Sequence, residues 1–509
     1  MTEAASAAPL YILTVDQSTT GTKALLTDRS GSIIYRYAVA HRQIYPQDGW
    51  VEHDPLEIYD NVKAAIKHVV ADSGVKASEI AGLTITNQRE TALLWDRETG
   101  LPLGNAIVWQ CRRTIDTCDR LKREGWEERI REKTGLLLDP YFSAGKWKWL
   151  LEHQAGSLSR SRILAGNMDA WLIWKLTGGK VHATDFTNAS RTQLFNIHTL
   201  EWDEELAGVF GVPLSILPQV QASDRIYGVI ADPDLHPLQL PITGVIGDSQ
   251  AALFGQQCIH PGMAKGTYGT GTSVMLYAGT NPPKAANGLV TAIAWGIGNK
   301  VEYALEAIIH STGDALNWVK DQMGLFETYE ELERETALIE DTGGVYLIPA
   351  FVGLGAPYWN PSARAAIVGL NRSSGRREIM RAALESIAHQ VTDAVALLEQ
   401  ETGIKLKELR VDGGATTNGL LMQLQADLLR APVACPEAVE LSALGSAYIG
   451  GLALGFWRRE ELEALYRKSR TYAPAMGEEQ RFKLRRGWLS AVAGTLAVEG
   501  ALQREKLTT

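Results

Sequence analysis

Two short turns of small hydroxyl residues and glycine, half a chain apart, hold the strongest chemical signal in this sequence. The first is Val15-Asp16-Gln17-Ser18-Thr19-Thr20-Gly21-Thr22-Lys23, the second Lys265-Gly266-Thr267-Tyr268-Gly269-Thr270-Gly271-Thr272-Ser273. Each interrupts a β-prone run that then resumes, as Ala24-Leu25-Leu26 and as Val274-Met275-Leu276. A hairpin of this kind offers N–H groups and hydroxyls at its tip, with no bulky side chain to fend off an anion. One alone carries little weight. A pair in separate halves points to duplicated lobes closing on a polyphosphate. Asp16, beside the first turn, has the type and position to hold Mg²⁺ next to the phosphates, directly or through water. It is equally an Asx-turn residue at a strand end.

Four further groups of residues are chemically suggestive. Asp248, in Gly247-Asp248-Ser249-Gln250-Ala251, follows an apolar strand and opens an Ala-rich helix. It reads as a routine N-cap or as a general base between lobes. Arg89 and Glu90, after the strand Ile80–Thr86, form either a solvent-facing ion pair or a donor–acceptor couple for vicinal hydroxyls. Trp109 and Tyr141 are plain core or the cover of a sugar's C–H face. Val411-Asp412-Gly413-Gly414-Ala415-Thr416-Thr417-Asn418 reads as a strand, a tight turn and a capped helix start, a geometry that lets backbone approach a nucleotide. No Walker A pattern occurs, which argues against a P-loop enzyme.

The elements that must position these residues alternate strand and helix, an α/β pattern. Strands are expected at Leu10–Val15, Lys23–Thr27 and Ser32–Ala40, and a helix from Asp54-Pro55 with an apolar stripe at Ile58, Val62, Ile66 and Val69. The second half repeats the plan: a hairpin at Met263–Tyr277, strands at Leu289–Ala294 and Lys300–Ala304, and a helix over Ala307–Met323. A long helix follows around Ile379–Leu398, then a strand at Leu409–Val411. The Gly-rich run Leu444–Phe456 is expected to be a helix packed closely on a neighbour. The division falls near Phe254–Pro261, giving lobes 1–256 and 257–509. At 509 residues, with 50 basic and 59 acidic side chains, the chain disfavours a general nucleic-acid or membrane-surface binder. Four cysteines without metal spacing, and an N-terminus unlike a signal peptide, point to a reducing cytoplasm. No apolar run is long enough to span a bilayer.

These residues closely resemble the FGGY carbohydrate kinases from about Tyr11 to Trp488. The specific matches are GWVEHDP (49–55), ITNQRET (85–91), NAIVWQCRRT (105–114), TNASRTQLFNIHTL (187–200), IPAFVGLGAPYW (348–359) and RVDGGA (410–415). Tyr141–His153 and Ala365–Glu385 fit the family's two signatures. The resemblance implies a two-lobed actin/hexokinase-like, duplicated ribonuclease H-like fold with the active site in the interlobe cleft. It implies ATP and Mg²⁺ as cofactors, a terminal hydroxyl of glycerol as acceptor, and a homodimer or homotetramer. Asp248 would be the base. Arg89, Glu90, Tyr141 and Asp248 would hold the polyol with Trp109 alongside. Thr19, Thr20 and Lys23 would meet phosphate from the first lobe; Thr270, Gly313, Asn317, Gly414 and Asn418 would meet nucleotide from the second. Asp16 and Asp248 stand at the family's Mg²⁺ position. Ser249 replaces a usual Gln and Ser273 a usual Phe, so a wider, wetter pocket and a larger polyol or ketose are the alternative. A non-catalytic nucleotide-driven binding protein of the actin or chaperone kind is the remote one.

Overall fold

The computed structural model describes residues 9–508, with 237 and 361 excepted. The first lobe opens as an antiparallel meander of β1 (Tyr11–Gln17), β2 (Gly21–Asp28) and β3 (Ile33–Ala40). Helix α1 (Pro55–Asp72) follows, its start fixed by Asp54 Oδ1 accepting from the Leu56 amide at 2.9 Å, with Pro55 at the first helical position. Its stripe of Ile58, Val62, Ile66 and Val69 is fully buried. Strand β4 (Ile80–Asn87) returns parallel to β1. Helix α2 (Ser143–His153) belongs to a second layer of this lobe; β5 (Pro241–Gly247) then pairs parallel to β4. A short edge strand, Gly228–Val229, completes a six-stranded sheet ordered edge-β5-β4-β1-β2-β3. The central strand β1 is buried on both faces, Ile12 through Gln17 being enclosed without alternation, whereas β3 alternates as an edge strand does. Helix α3 (Asp248–Gly255) leaves the end of β5.

The second lobe repeats this order. Strands β6 (Met263–Tyr268), β7 (Thr272–Gly279), β8 (Val290–Ile297) and β9 (Lys300–Ile309) pair antiparallel. Helices α4 (Gly313–Asp321) and α5 (Arg376–Thr402) precede β10 (Glu408–Asp412), which lies parallel to β6. Helix α6 (Gly419–Leu429), β11 (Val433–Pro436), α7 (Leu441–Ala453) and β12 (Lys468–Tyr472) follow, giving a seven-stranded sheet ordered β8-β9-β7-β6-β10-β11-β12. The helix expected over Ala307–Met323 begins only at Gly313. Residues 307–309 extend β9 instead, because Val274 and Thr272 of β7 require Ala307 and Ile309 as ladder partners.

A helix pair clasps the lobes. Helix α7 comes from the second half, yet it packs on α3 and over β1, β4 and β5. Contact is so close that a Cβ at Gly445 would lie 1.8 Å from the Ala251 carbonyl oxygen. Ser446 Oγ donates to the Gly244 carbonyl at 2.7 Å, which fixes the register of α7 on β5. Both helices therefore aim their N-termini at the space between the sheets.

Candidate active site

The loop leaving β4 carries Arg89 and Glu90 into the cleft, with Glu90 in the left-handed region at φ 59. Neither side chain faces solvent, so the exposed ion pair is set aside. Arg89 Nε stands 3.3 Å from Asp248 Oδ1, its Nη1 donates to Gln250 Oε1 at 3.1 Å, and its Nη2 lies 3.3 Å from Glu306 Oε1. Arg191 completes the network, donating from Nε to Glu90 Oε1 at 2.5 Å and from Nη1 to Glu306 Oε2 at 2.9 Å. Glu306, on β9, thus joins the second lobe to Arg89 and Arg191 of the first. Burial alone would raise its pKa; Arg89 and Arg191 outweigh that and hold it well below the usual carboxylate range. Burial wins at Glu90, whose carboxyl is shifted upward despite Arg191 and Arg89.

Sequence reasoning missed Arg191 and Glu306. The signal was present: an acid at an inward position of an otherwise apolar strand demands a cationic partner. Ser273 was expected to vacate space for an acceptor. Its hydroxyl donates to Glu306 Oε1 at 2.9 Å. Ser249 directs its backbone amide to Asp248 Oδ1 at 2.6 Å and lines a cleft cavity of about 140 Å³ with Asp248, Lys265, Thr267, Asp412 and Ser442.

Trp109 and Tyr141 pack against each other at 5.3 Å between ring centroids. Trp109 Nε1 donates to Thr19 Oγ1 at 3.0 Å, so the aromatic pair is tied to the first hairpin. The turn carrying Tyr141 is gripped by Lys146 on α2, a fully buried ammonium that donates to the carbonyls of Pro140, Tyr141 and Phe142 at 2.9, 2.5 and 3.0 Å. Burial pushes that lysine down to about 8.

At the first hairpin the Ser18 amide donates to the Gly21 carbonyl at 2.9 Å, leaving Thr19 and Thr20 at the tip. Lys23 is ion-paired to Glu440 at 2.6 Å, and Arg36 reaches the other oxygen of the same carboxylate at 2.9 Å. Asp16 is 6% exposed, and no described donor hydrogen-bonds its carboxylate. Burial pushes its pKa up to about 7, opposed by Lys23 and assisted by the charges of Asp248 and Glu440. At the second hairpin the Gly269 amide donates to the Gly271 carbonyl at 2.9 Å. The start of α4 backs this tip, with the Gly313 amide on the Gly269 carbonyl at 3.1 Å and the Thr312 amide on the Thr270 carbonyl at 2.9 Å. The Gly413-Gly414 turn presses on the same hairpin: Gly413 has φ 100, and a Cβ there would lie 2.2 Å from the Tyr268 carbonyl oxygen. Asn418 caps α6 through the Leu421 amide at 2.9 Å. Asn317 lies on the exposed face of α4 and accepts from Tyr329 Oη at 2.5 Å. The structure therefore ties Arg89, Glu90 and Asp248 into one network with Glu306 and links Trp109 and Tyr141 to the first hairpin, while the start of α4 and the Gly-Gly turn abut the second; Asn317 stands apart on the exposed face of α4.

This arrangement sets two lobes of similar strand and helix order around one buried polar network. The models of the FGGY family of carbohydrate kinases match it, the N-terminal domain over residues 11–255 and the C-terminal domain over 264–454. The chain belongs to the FGGY family of carbohydrate kinases. It is similar to the glycerol kinase of Caldanaerobacter subterraneus subsp. tengcongensis, 50% identical over 486 residues that cover 95% of this chain and 98% of that one. Glycerol kinase 2 of Thermotoga maritima is 47% identical over 493 residues, 96% and 99% of the two chains. Among solved structures, Plasmodium falciparum glycerol kinase with ADP superposes with a TM-score of 0.91 at 34% identity, covering 96% of this chain and 99% of that one. A xylulose kinase from Lactobacillus acidophilus shares the fold at a TM-score of 0.86 and 22% identity over 95% and 98% of the chains.

Proposed function

We propose that the protein transfers the γ-phosphoryl group of ATP to a terminal hydroxyl of glycerol, giving glycerol 3-phosphate and ADP. The observation that carries this reading is the placement of Asp248. Its carboxylate stands at the head of α3 in the cleft, oriented by Arg89 Nε at 3.3 Å, beside a cavity that second-lobe residues close. In the reaction Asp248 takes the hydroxyl proton as the acceptor oxygen forms its bond to the γ-phosphorus, and the bond from that phosphorus to the bridging oxygen of ADP breaks. Arg89 and Glu90 bind the remaining hydroxyls, one donating and one accepting, while Trp109 and Tyr141 cover the carbon face. Thr19, Thr20 and Lys23 address the phosphates from one side; Thr270, Gly313, Gly414, Asn317 and Asn418 address the nucleotide from the other. Lobe closure excludes water, which strengthens each of these contacts.

Asp16 suits a hydrated Mg²⁺, being a nearly buried carboxylate without a described protein donor. Asp248 is close enough for its charge to raise the pKa of Asp16, and the two acids would share such an ion. Bound there, Mg²⁺ would neutralise phosphate charge. The four cysteines are buried and unpaired, and no described helix is long and apolar enough to cross a membrane, in keeping with a cytoplasmic setting. A homodimer or homotetramer is part of the proposal.

The larger-acceptor reading rests on Ser249 and Ser273, small side chains where a Gln and a Phe are usual, and the Ser273 hydroxyl is bonded to Glu306. Comparing kcat/KM for glycerol, erythritol, threitol, xylitol and ribulose tests the choice. Glycerol should lead by orders of magnitude; a tetritol or pentulose in front would overturn glycerol as the acceptor.

A further inference from the structure

Lys265 is a buried cation that the reaction described above leaves unused. It lies on β6 two residues before Thr267, so both side chains leave the same face of the strand, and both line the cavity that holds Asp248. The lysine is 1% exposed. Its Nζ makes a single described hydrogen bond, to Thr267 Oγ1 at 3.0 Å. Among the described residues no carboxylate comes within ion-pairing distance of it; burial shifts its pKa downward, Asp412, Glu306 and Asp248 counter that through their charges, and Arg89 adds to it.

An ammonium has three donors, and burial without a paired anion is costly. Lys146, the other fully buried lysine, satisfies all three donors on backbone carbonyls and so has a structural role. Lys265 has no such set. Two of its donors have no described protein acceptor, beside a cavity large enough for a few heavy atoms.

We infer that Lys265 is a further catalytic residue, whose ammonium binds the phosphoryl group in flight between ATP and the acceptor held at Asp248. The inference rests on the kinase reading above. As the bond to the bridging oxygen of ADP breaks and the bond to the acceptor oxygen forms, negative charge spreads over the three equatorial oxygens. A fixed cation, its ammonium already held by Thr267, stabilises that charge without reorganising. The proton still passes to Asp248, and Lys265 keeps its own. Thr267 holds the ammonium in place from its own strand.

The test uses the full-length enzyme with ATP, Mg²⁺ and glycerol. Lys265→Met keeps the apolar stem and should lower kcat by about 10²- to 10³-fold while the KM for glycerol stays within about threefold. Lys265→Arg retains the charge and should lose less. In Lys265→Ala, added methylammonium should restore kcat by about tenfold or more, a response that a packing role would not give. A wild-type enzyme that phosphorylates glycerol alongside a Met variant within about threefold of its kcat overturns the role of Lys265 alone. So does a kcat loss that methylammonium leaves unchanged and that falls together with the melting temperature. A wild-type enzyme inert towards glycerol overturns the acceptor reading instead.

Discussion

Replacing Arg191 with Met should uncouple the acceptor wall from the second lobe and cost the protein several kilocalories. The guanidinium is fully buried, with Glu90 at 2.5 Å and Glu306 at 2.9 Å. Methionine fills the stem but leaves Glu90 without its nearest cation, and removing one partner of a buried pair costs about 3–5 kcal/mol. For a lobe of this size that is a fall of roughly 6–20 °C in its unfolding transition. Scanning calorimetry on the apo-enzyme reads it directly. Adding Glu306→Gln removes a carboxylate that the first change left under-paired, so the double variant should be about 1–3 kcal/mol more stable than the sum of the singles. There is a pH signature as well. Glu90 is already shifted upward by burial, and Arg191 is its largest opposing influence. Without Arg191 it takes up a proton at higher pH, and a protonated Glu90 accepts poorly. The acceptor KM of the variant should therefore rise as pH falls, more steeply than in wild type. A loss below about 1 kcal/mol, or strict additivity in the double variant, would refute the argument that these charges depend on one another.

Two further outcomes follow from the cleft. Asp16→Asn should stabilise the metal-free protein at pH 8, by up to roughly 4 kcal/mol, because the folded-state pKa is about 7 against 3.8 in the unfolded chain. The sign is that of a raised carboxyl: its favourable contribution is complete below pH 3.8 and lost as pH rises through about 7, so the gain should vanish in acid. The same variant should lose any Mg²⁺-dependent rise in melting temperature. Glu440→Gln should free Lys23 from its 2.6 Å partner and tighten ADP binding by about two- to fivefold in calorimetric titration, since a partly exposed pair contributes about 0.2–1 kcal/mol.

Local chemistry was legible in the sequence; long-range pairing was not. Both hairpins announce themselves through Ser, Thr and Gly between β-prone runs, and α1 through Asp54-Pro55 and its apolar stripe. Those signals lie within a few residues of one another. Arg191 and Glu306 meet across 115 positions of chain, so neither the ligand of Arg89 nor the use made of the Ser273 hydroxyl could be read from spacing. The misplaced start of α4 has a similar cause. Residues 307–309 are apolar and suit either element, and it is the ladder with β7 that holds them extended. The close-packed glycines of α7 signalled a near neighbour, but its identity as α3 comes from topology. Asp248 lies between these cases: its place at a helix start was readable, while its contact with Arg89 needed the fold.

Steady-state kinetics on Asp248→Asn tests the central claim most directly. Asparagine keeps the shape that meets Arg89 and cannot take a proton from the acceptor. The account expects kcat for glycerol phosphorylation to fall by about 10²- to 10⁴-fold, with the dissociation constant of ADP within about threefold of wild type. A variant retaining more than about half of the wild-type kcat would contradict it, because the hydroxyl would then be losing its proton to some other group.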